Sequence, residues 1–142
     1  MKLLLVVDVS GCALKVSQTA LELVKKCEGE IILLCMVQNI ALLKGYKAGF
    51  QESVLLQDSH VKAQETVNKL RKMFKARGIK VKTSLIVNGD PIEEILRVVK
   101  KEKVDGIIIG SDSLADLPQH LPNSMLYRLV LHAGCPVLAV FE

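Results

Sequence analysis

Tryptophan is absent from this chain, and only two tyrosines and three phenylalanines stand in for aromatic bulk. With 50% of the residues hydrophobic all the same, the core must be built from Val, Ile and Leu. That composition is expected where parallel strands are buried on both faces. Cysteine is sparse and unpaired in pattern: Cys12, Cys27, Cys35 and Cys135 form no Cys-x-x-Cys pair and have no histidine at zinc-finger spacing. Neither a dithiol centre nor a structural zinc site is expected from them. They sit in or beside apolar segments and read as small hydrophobes in a reducing compartment, with a redox role for Cys12 and Cys35 left open. His60, His120 and His132 are scattered and define no metal site. Long apolar runs are missing too. Met1-Lys2 leads into a short run ending at Asp8, too short for a signal-peptide core or a membrane span. A cytoplasmic location and no membrane contact are expected.

One-sided charge is also lacking. Nineteen Lys and Arg face fifteen Asp and Glu, a net charge of +4 that reads as a mild excess spread along the chain. No nucleic-acid partner is implied by it. No Ser–His–Asp or Cys–His arrangement and no paired carboxylates stand out for acid–base work, so the chain is not read as an enzyme. Its 142 residues suit one domain, 1–142, with no linker and no repeat.

What is present is an alternation of apolar runs and helical periods. Residues 3–7 form a continuous apolar run, a buried strand, closed by Asp8. Residues 13–27 carry Leu14, Ala20, Leu21 and Val24 at near-helical spacing, with lysines at the end and Gly29 as the stop. A second buried strand is expected over 31–37, and a long connection over 38–51. A long helix over 52–77 places Leu56, Ala63, Val67, Leu70 and Phe74 on one stripe, with Glu65 and Lys69 as an i,i+4 pair outside. Residues 81–87 alternate at first, as near a sheet edge. Asp90-Pro91-Ile92-Glu93 is a helix start, with Asp as cap and Pro in the first turn. Ile92, Ile95, Leu96 and Val99 give that helix its buried face. Residues 104–109 form a fourth strand, Ser124 caps a short helix through His132, and 136–141 form a fifth strand. Strands alternating with helices predict an α/β fold: a five-stranded parallel sheet with helices on both faces, Rossmann-like. Ligands of such sheets bind outside the carboxyl ends of the strands, here Asp8, Val37 and Gly110.

The loop that leaves a strand at Gly110 and enters a helix at Ser124 is laid out like a phosphate cradle. It carries Asp112 and Asp116 but no Lys or Arg, so a triphosphate there meets like charge. Pro118 and Pro122 stiffen its path. Read from the residues alone, Ser124 is equally an ordinary N-cap, and Asp8 equally a cap or a partner for a loop amide.

Val6-Val7-Asp8-Val9-Ser10, Gly89-Asp90-Pro91, Ile108-Ile109-Gly110-Ser111 and Ser124…His132-Ala133-Gly134-Cys135-Pro136-Val137-Leu138, in this order and spacing, resemble a universal stress protein domain over essentially the whole chain. The resemblance implies the sheet order 3-2-1-4-5 and a homodimer, formed through the last strand at Val137, Leu138, Ala139 and Val140, with an unidentified protein partner besides. It also implies a stress-response role. Nucleotide-binding members resemble one another in a loop of the form Gly-x-x-Gly, nine residues, then Gly-Ser or Gly-Thr. On this chain its glycines fall on Gly110, Ser113 and Asn123, and its hydroxyl on Ser124. A further hydroxyl position falls on Leu126. The family holds adenine against the Asp at the end of the first strand and a backbone group after the second, here Asp8 and Val37. The implied site is therefore Asp8, Val37, Ile109, Gly110, Ser113, Asn123, Ser124 and Met125. Two readings stay open: a regulatory module whose altered loop binds ATP weakly or not at all, and a working sensor of ATP with magnesium. A weak ATPase is a lesser third.

Overall fold

The computed structural model describes residues 1–8, 13–37, 50–88, 90–110 and 125–140. Their elements run β1 (Lys2–Val7), α1 (Ala13–Cys27), β2 (Glu30–Val37), α2 (Phe50–Ala76), β3 (Val81–Asn88), α3 (Pro91–Glu102), β4 (Gly106–Gly110), α4 (Met125–His132) and β5 (Val137–Val140). The sheet has the order β3-β2-β1-β4-β5, with every neighbouring pair parallel. This is the Rossmann-like α/β order expected. Residues 38–49, which carry most of the expected long connection, lie outside the described residues, as does the cradle over 111–124.

The continuous apolar runs of β1 and β2 follow from their central place, because each face meets helices. Leu3, Leu5, Val7, Leu33 and Cys35 pack on one side with Val16, Ala20 and Val24 of α1 and Ala63, Val67, Leu70 and Phe74 of α2. Leu4, Val6, Ile32, Leu34, Ile107 and Ile109 pack on the other with Ile92, Ile95 and Val98 of α3 and Leu129 of α4. β3 and β5 are the edges, and their residues are only partly covered.

Three expectations are corrected in detail. Leu14 is 44% exposed; the buried stripe of α1 is Val16, Ser17, Ala20, Leu21 and Val24, which a strict 3.6 period selects and Leu14 misses. Gly29 is not the left-handed residue that ends α1; Glu28 is, at φ 51. Glycine at 29 answers a different need, since a Cβ there would come within 2.7 Å of the Met1 carbonyl oxygen. That oxygen accepts the Glu30 N–H at 2.9 Å. Finally, Glu65 and Lys69 are both exposed but do not form an ion pair; the pairs among the described residues are Lys82–Glu102, Arg97–Glu94 and Arg128–Asp90.

The start of α3 is as expected. Asp90 Oδ1 accepts the N–H of Ile92 at 2.9 Å and of Glu93 at 3.4 Å, with Pro91 in the first turn. Asp90→Ala is expected to lower stability by about 1 kcal/mol, which is ~2–4 °C in melting temperature, and Asp90→Asn to keep most of it. A thermal melt of the two variants checks this. Equal losses would place the effect in the exposed Arg128 contact at 3.9 Å rather than in the cap.

Candidate functional site

The winding of the sheet reverses at β1. The crossover through α1 leads from β1 to β2 on one side, while the crossover through α3 leads from β3 past both to β4 on the other. The carboxyl ends of β1 and β4 therefore diverge to opposite helical layers, and a crevice opens at that rim. Register brings the strand ends level: Val6 opposes Ile109, Val7 opposes Cys35, and Gly110 opposes Val140.

Asp8 follows the last residue of β1 and is 6% exposed, one of two buried polar side chains among the described residues. A carboxylate so placed sets the local field. It helps to hold the proton on Cys35, whose thiol is pushed up to about 11, first by burial and then by the Asp8 charge. Cys35 is thus a protonated core side chain and not a reactive thiolate. Burial also pushes the Cys135 thiol up. Cys27, Cys35 and Cys135 are free thiols, and Cys12 lies outside the described residues.

Val37 closes β2 opposite Asn88, with its side chain in the core, so its main chain is what reaches the rim. Ile109 is wholly buried in the α3–α4 layer, and it too offers only backbone. Gly110 does not have a positive φ. A Cβ on it would lie 3.4 Å from Val16 of α1, so glycine here lets the first turns of α1 sit close over β4. Met125 begins α4. Ser113, Asn123 and Ser124 lie outside the described residues. Asp8, Val37, Ile109 and Gly110 are thus brought to one rim.

Leu126 is the informative neighbour. Its side chain packs against the core shared by α3 and α4. A leucine offers no hydrogen bond to a ligand. Ser17 is fully buried on α1 beside Val16, and among the described residues its hydroxyl has no hydrogen-bond partner. Its only signal is a polar residue on an apolar stripe. Among the described residues no group of three or more His, Cys, Asp or Glu is placed to hold a metal ion. No helix among them is long and apolar enough to cross a membrane.

A doubly wound parallel sheet with a buried carboxylate at its switch point defines a Rossmann-like α/β domain. The universal stress protein family profile matches residues 1–140, and the chain belongs to that family, whose members are stress-response proteins. A universal stress protein of Methanocaldococcus jannaschii is 27% identical over 139 residues, which span 98% of this chain and 81% of that one. A second one from that organism is 33% identical over 125 residues, 78% of this chain and 76% of its own. The solved structure of that second protein superposes with a TM-score of 0.78 over 99% of this chain and 95% of that one. A family protein of Arabidopsis thaliana, solved with AMP bound, has a TM-score of 0.66 at 17% identity, covering 100% of this chain and 92% of that one. At that identity the likeness shows the fold alone.

Proposed function

We propose that this protein is a regulatory stress-response module, a homodimer through β5, whose nucleotide site binds ATP weakly or not at all. The observation that carries the reading is Leu126, partly buried against the α3–α4 core, where nucleotide-binding members place a hydroxyl. Ser113 and Asn123 at glycine positions of the loop point the same way, since a side chain hinders close approach of backbone to phosphate. Asp112 and Asp116 add like charge. The dimer is supported by the edge itself. β5 pairs with β4 on one side, and its Leu138 is 42% exposed. A short apolar edge strand is a template for a second copy or another protein's strand. The free thiols fit the reducing cytoplasm. The module works by binding and not by catalysis.

The second reading is an adenine-nucleotide sensor. It is favoured by Asp8 buried at the same rim as the ends of β2 and β4, and by the AMP bound to the Arabidopsis thaliana relative. Asp8 and the Val37 main chain would then hold adenine, and the backbone from Ile109 and Gly110 onward, with Met125 at the start of α4, the sugar and phosphate.

A thermal-shift titration with ATP and magnesium separates the readings, together with analysis of nucleotide released when fresh protein is denatured. The expected result is no released nucleotide and no saturable shift for the native chain. Ser113→Gly/Asn123→Gly/Leu126→Ser, which restores the family loop, is expected to gain a shift. At a hundred times Kd the gain is about 2.7 kcal/mol, or ~5–10 °C. A saturable shift in the native chain would hand the site to the sensor reading. A monomer by light scattering at high concentration would remove the dimer.

A further inference from the structure

The positive charge of this chain is not spread along it, as its totals had indicated. From Thr66 to Gly89 the sequence holds seven Lys and Arg and no Asp or Glu. The fold gathers several of them into an open cleft of about 420 Å³ between the last turns of α2 and the start of β3, where Arg71, Lys72, Lys75 and Lys80 stand over Ile79 and Val81. Among the described residues no carboxylate lines it. Lys82, Arg97 and Arg128 close ion pairs, and none of the four cations in the cleft does so with a described residue.

Ordinary helix chemistry accounts for only part of this. Lys75 lies in the last turn of α2 and suits the helix dipole. Arg71 lies a full turn earlier, and four residues before Lys75 it faces a like charge, which costs helix stability. Uncompensated like charges in a concave, one-signed setting focus the field and attract an anion. Arg71 supplies a planar fork of donors, and Lys72 and Lys75 supply point charges, the usual pairing for phosphate oxygens. Among the described residues no aromatic side chain lines the cleft, so they give it no platform on which a base would stack. Arg71 and Lys75 stand about 6 Å apart along the helix axis, the rise of four residues, so the cleft takes a short strip of charge and not a duplex face. Lys80 also borders a neighbouring hollow that holds Glu28, Glu30 and Asp105, which leaves Arg71, Lys72 and Lys75 as the centre.

We infer that this cleft is a docking site for a linear chain of phosphates, recognised by its charge without a base. It lies at the amino end of β3, the opposite end of the sheet from Asp8 and Val37, so it stands or falls independently of the nucleotide site.

The test is calorimetric titration of the full chain with sodium tripolyphosphate and with longer inorganic polyphosphate, at two salt concentrations. Native protein is expected to bind both, more weakly at the higher salt. Arg71→Gln/Lys75→Gln is expected to lose about a hundredfold in affinity, roughly tenfold per cation. Lys25→Gln/Lys26→Gln, an equal change of net charge in the exposed last turn of α1, is expected to bind as the native chain does. The cleft variant is expected to melt no lower than native protein, because its like-charge pair is relieved. Absence of binding, or equal losses in the two double variants, would overturn the inference. So would tighter binding of a single-stranded oligonucleotide of the same formal charge, which would make the partner a nucleic acid.

Discussion

Phe74→Ala lowers the stability of this domain by about 3–5 kcal/mol, the largest single-residue effect expected here. Among the described residues Phe74 is the largest fully buried side chain, and it closes the core on the α1–α2 side of the sheet. The substitution leaves the main-chain bonds of the turn into β3 in place, where the Phe74 carbonyl accepts the N–H of Arg77 at 3.1 Å and of Ile79 at 2.9 Å, so the loss reads the ring alone. A close-packed core relaxes only partly into the space a ring leaves. Against a typical total of about 5–15 kcal/mol, the variant forfeits a large fraction of its stability. Urea denaturation reads it directly, and Phe74→Leu, which keeps most of the volume, is expected to lose less than half as much. A loss under about 1 kcal/mol for the alanine variant would mean that α2 does not pack on β2 and β3 as described.

The second large effect is a loss of stability between about pH 9 and pH 11, carried by Cys35. The ordinary thiol ionises near 9.0, and in the folded protein burial first, and the Asp8 charge second, push Cys35 up to about 11. Below pH 9 the thiol is protonated in both states and contributes no pH dependence. Above it the unfolded chain gives up its proton while the folded one keeps it, so unfolding is favoured. The loss is roughly 1.4 kcal/mol per pH unit until the folded thiol ionises as well, or about 3 kcal/mol in all. Urea midpoints at pH 8.5, 9.5 and 10.5 for native protein and Cys35→Ala isolate the thiol. The alanine variant starts lower because of its cavity, but its decline with pH is expected to be shallower. Parallel declines would show that the alkaline loss comes from lysines and tyrosines common to both.

Much of this fold can be read from local pattern, and the exceptions have physical causes. Ala63, Val67, Leu70 and Phe74 lie on one helical stripe, and the structure buries all of them. Asp90 with Pro91 marks a helix start by chemistry confined to four residues, and so it is legible. The strand order is not a local property. Periodicity shows that β1 and β2 are buried but not which strand lies beside which, and the order came from the family resemblance. The second need for glycine at 29 is hidden for the same reason: it is set by Met1, which is distant in sequence from the turn. The basic cleft was missed because a chain-wide charge balance averages away what the fold concentrates. At the site, Asp8, Val37 and Gly110 were placed at the rim by topology alone. That Ile109 offers only backbone depends on which side of the sheet it faces, and that Leu126 packs against the core depends on which face of α4 it occupies.

The central position of β1 also bears on the order in which the chain acquires its structure. One flank of β1 is satisfied by β2, the next strand along. The other waits for β4, and the contact that seals it, from the Lys2 N–H to Asp105 at 2.7 Å, joins residues 103 apart. During synthesis the β1–β2–β3 half emerges first, with the inner flank of its central strand bare and apolar on both faces. Closing a loop of that length is slow compared with local pairing, and a bare flank is a place where a second nascent chain can add its own strand. The same seam that makes the finished sheet continuous thus cannot close until β4 has emerged, and in the interval before it closes the chain is prone to pair with the wrong molecule.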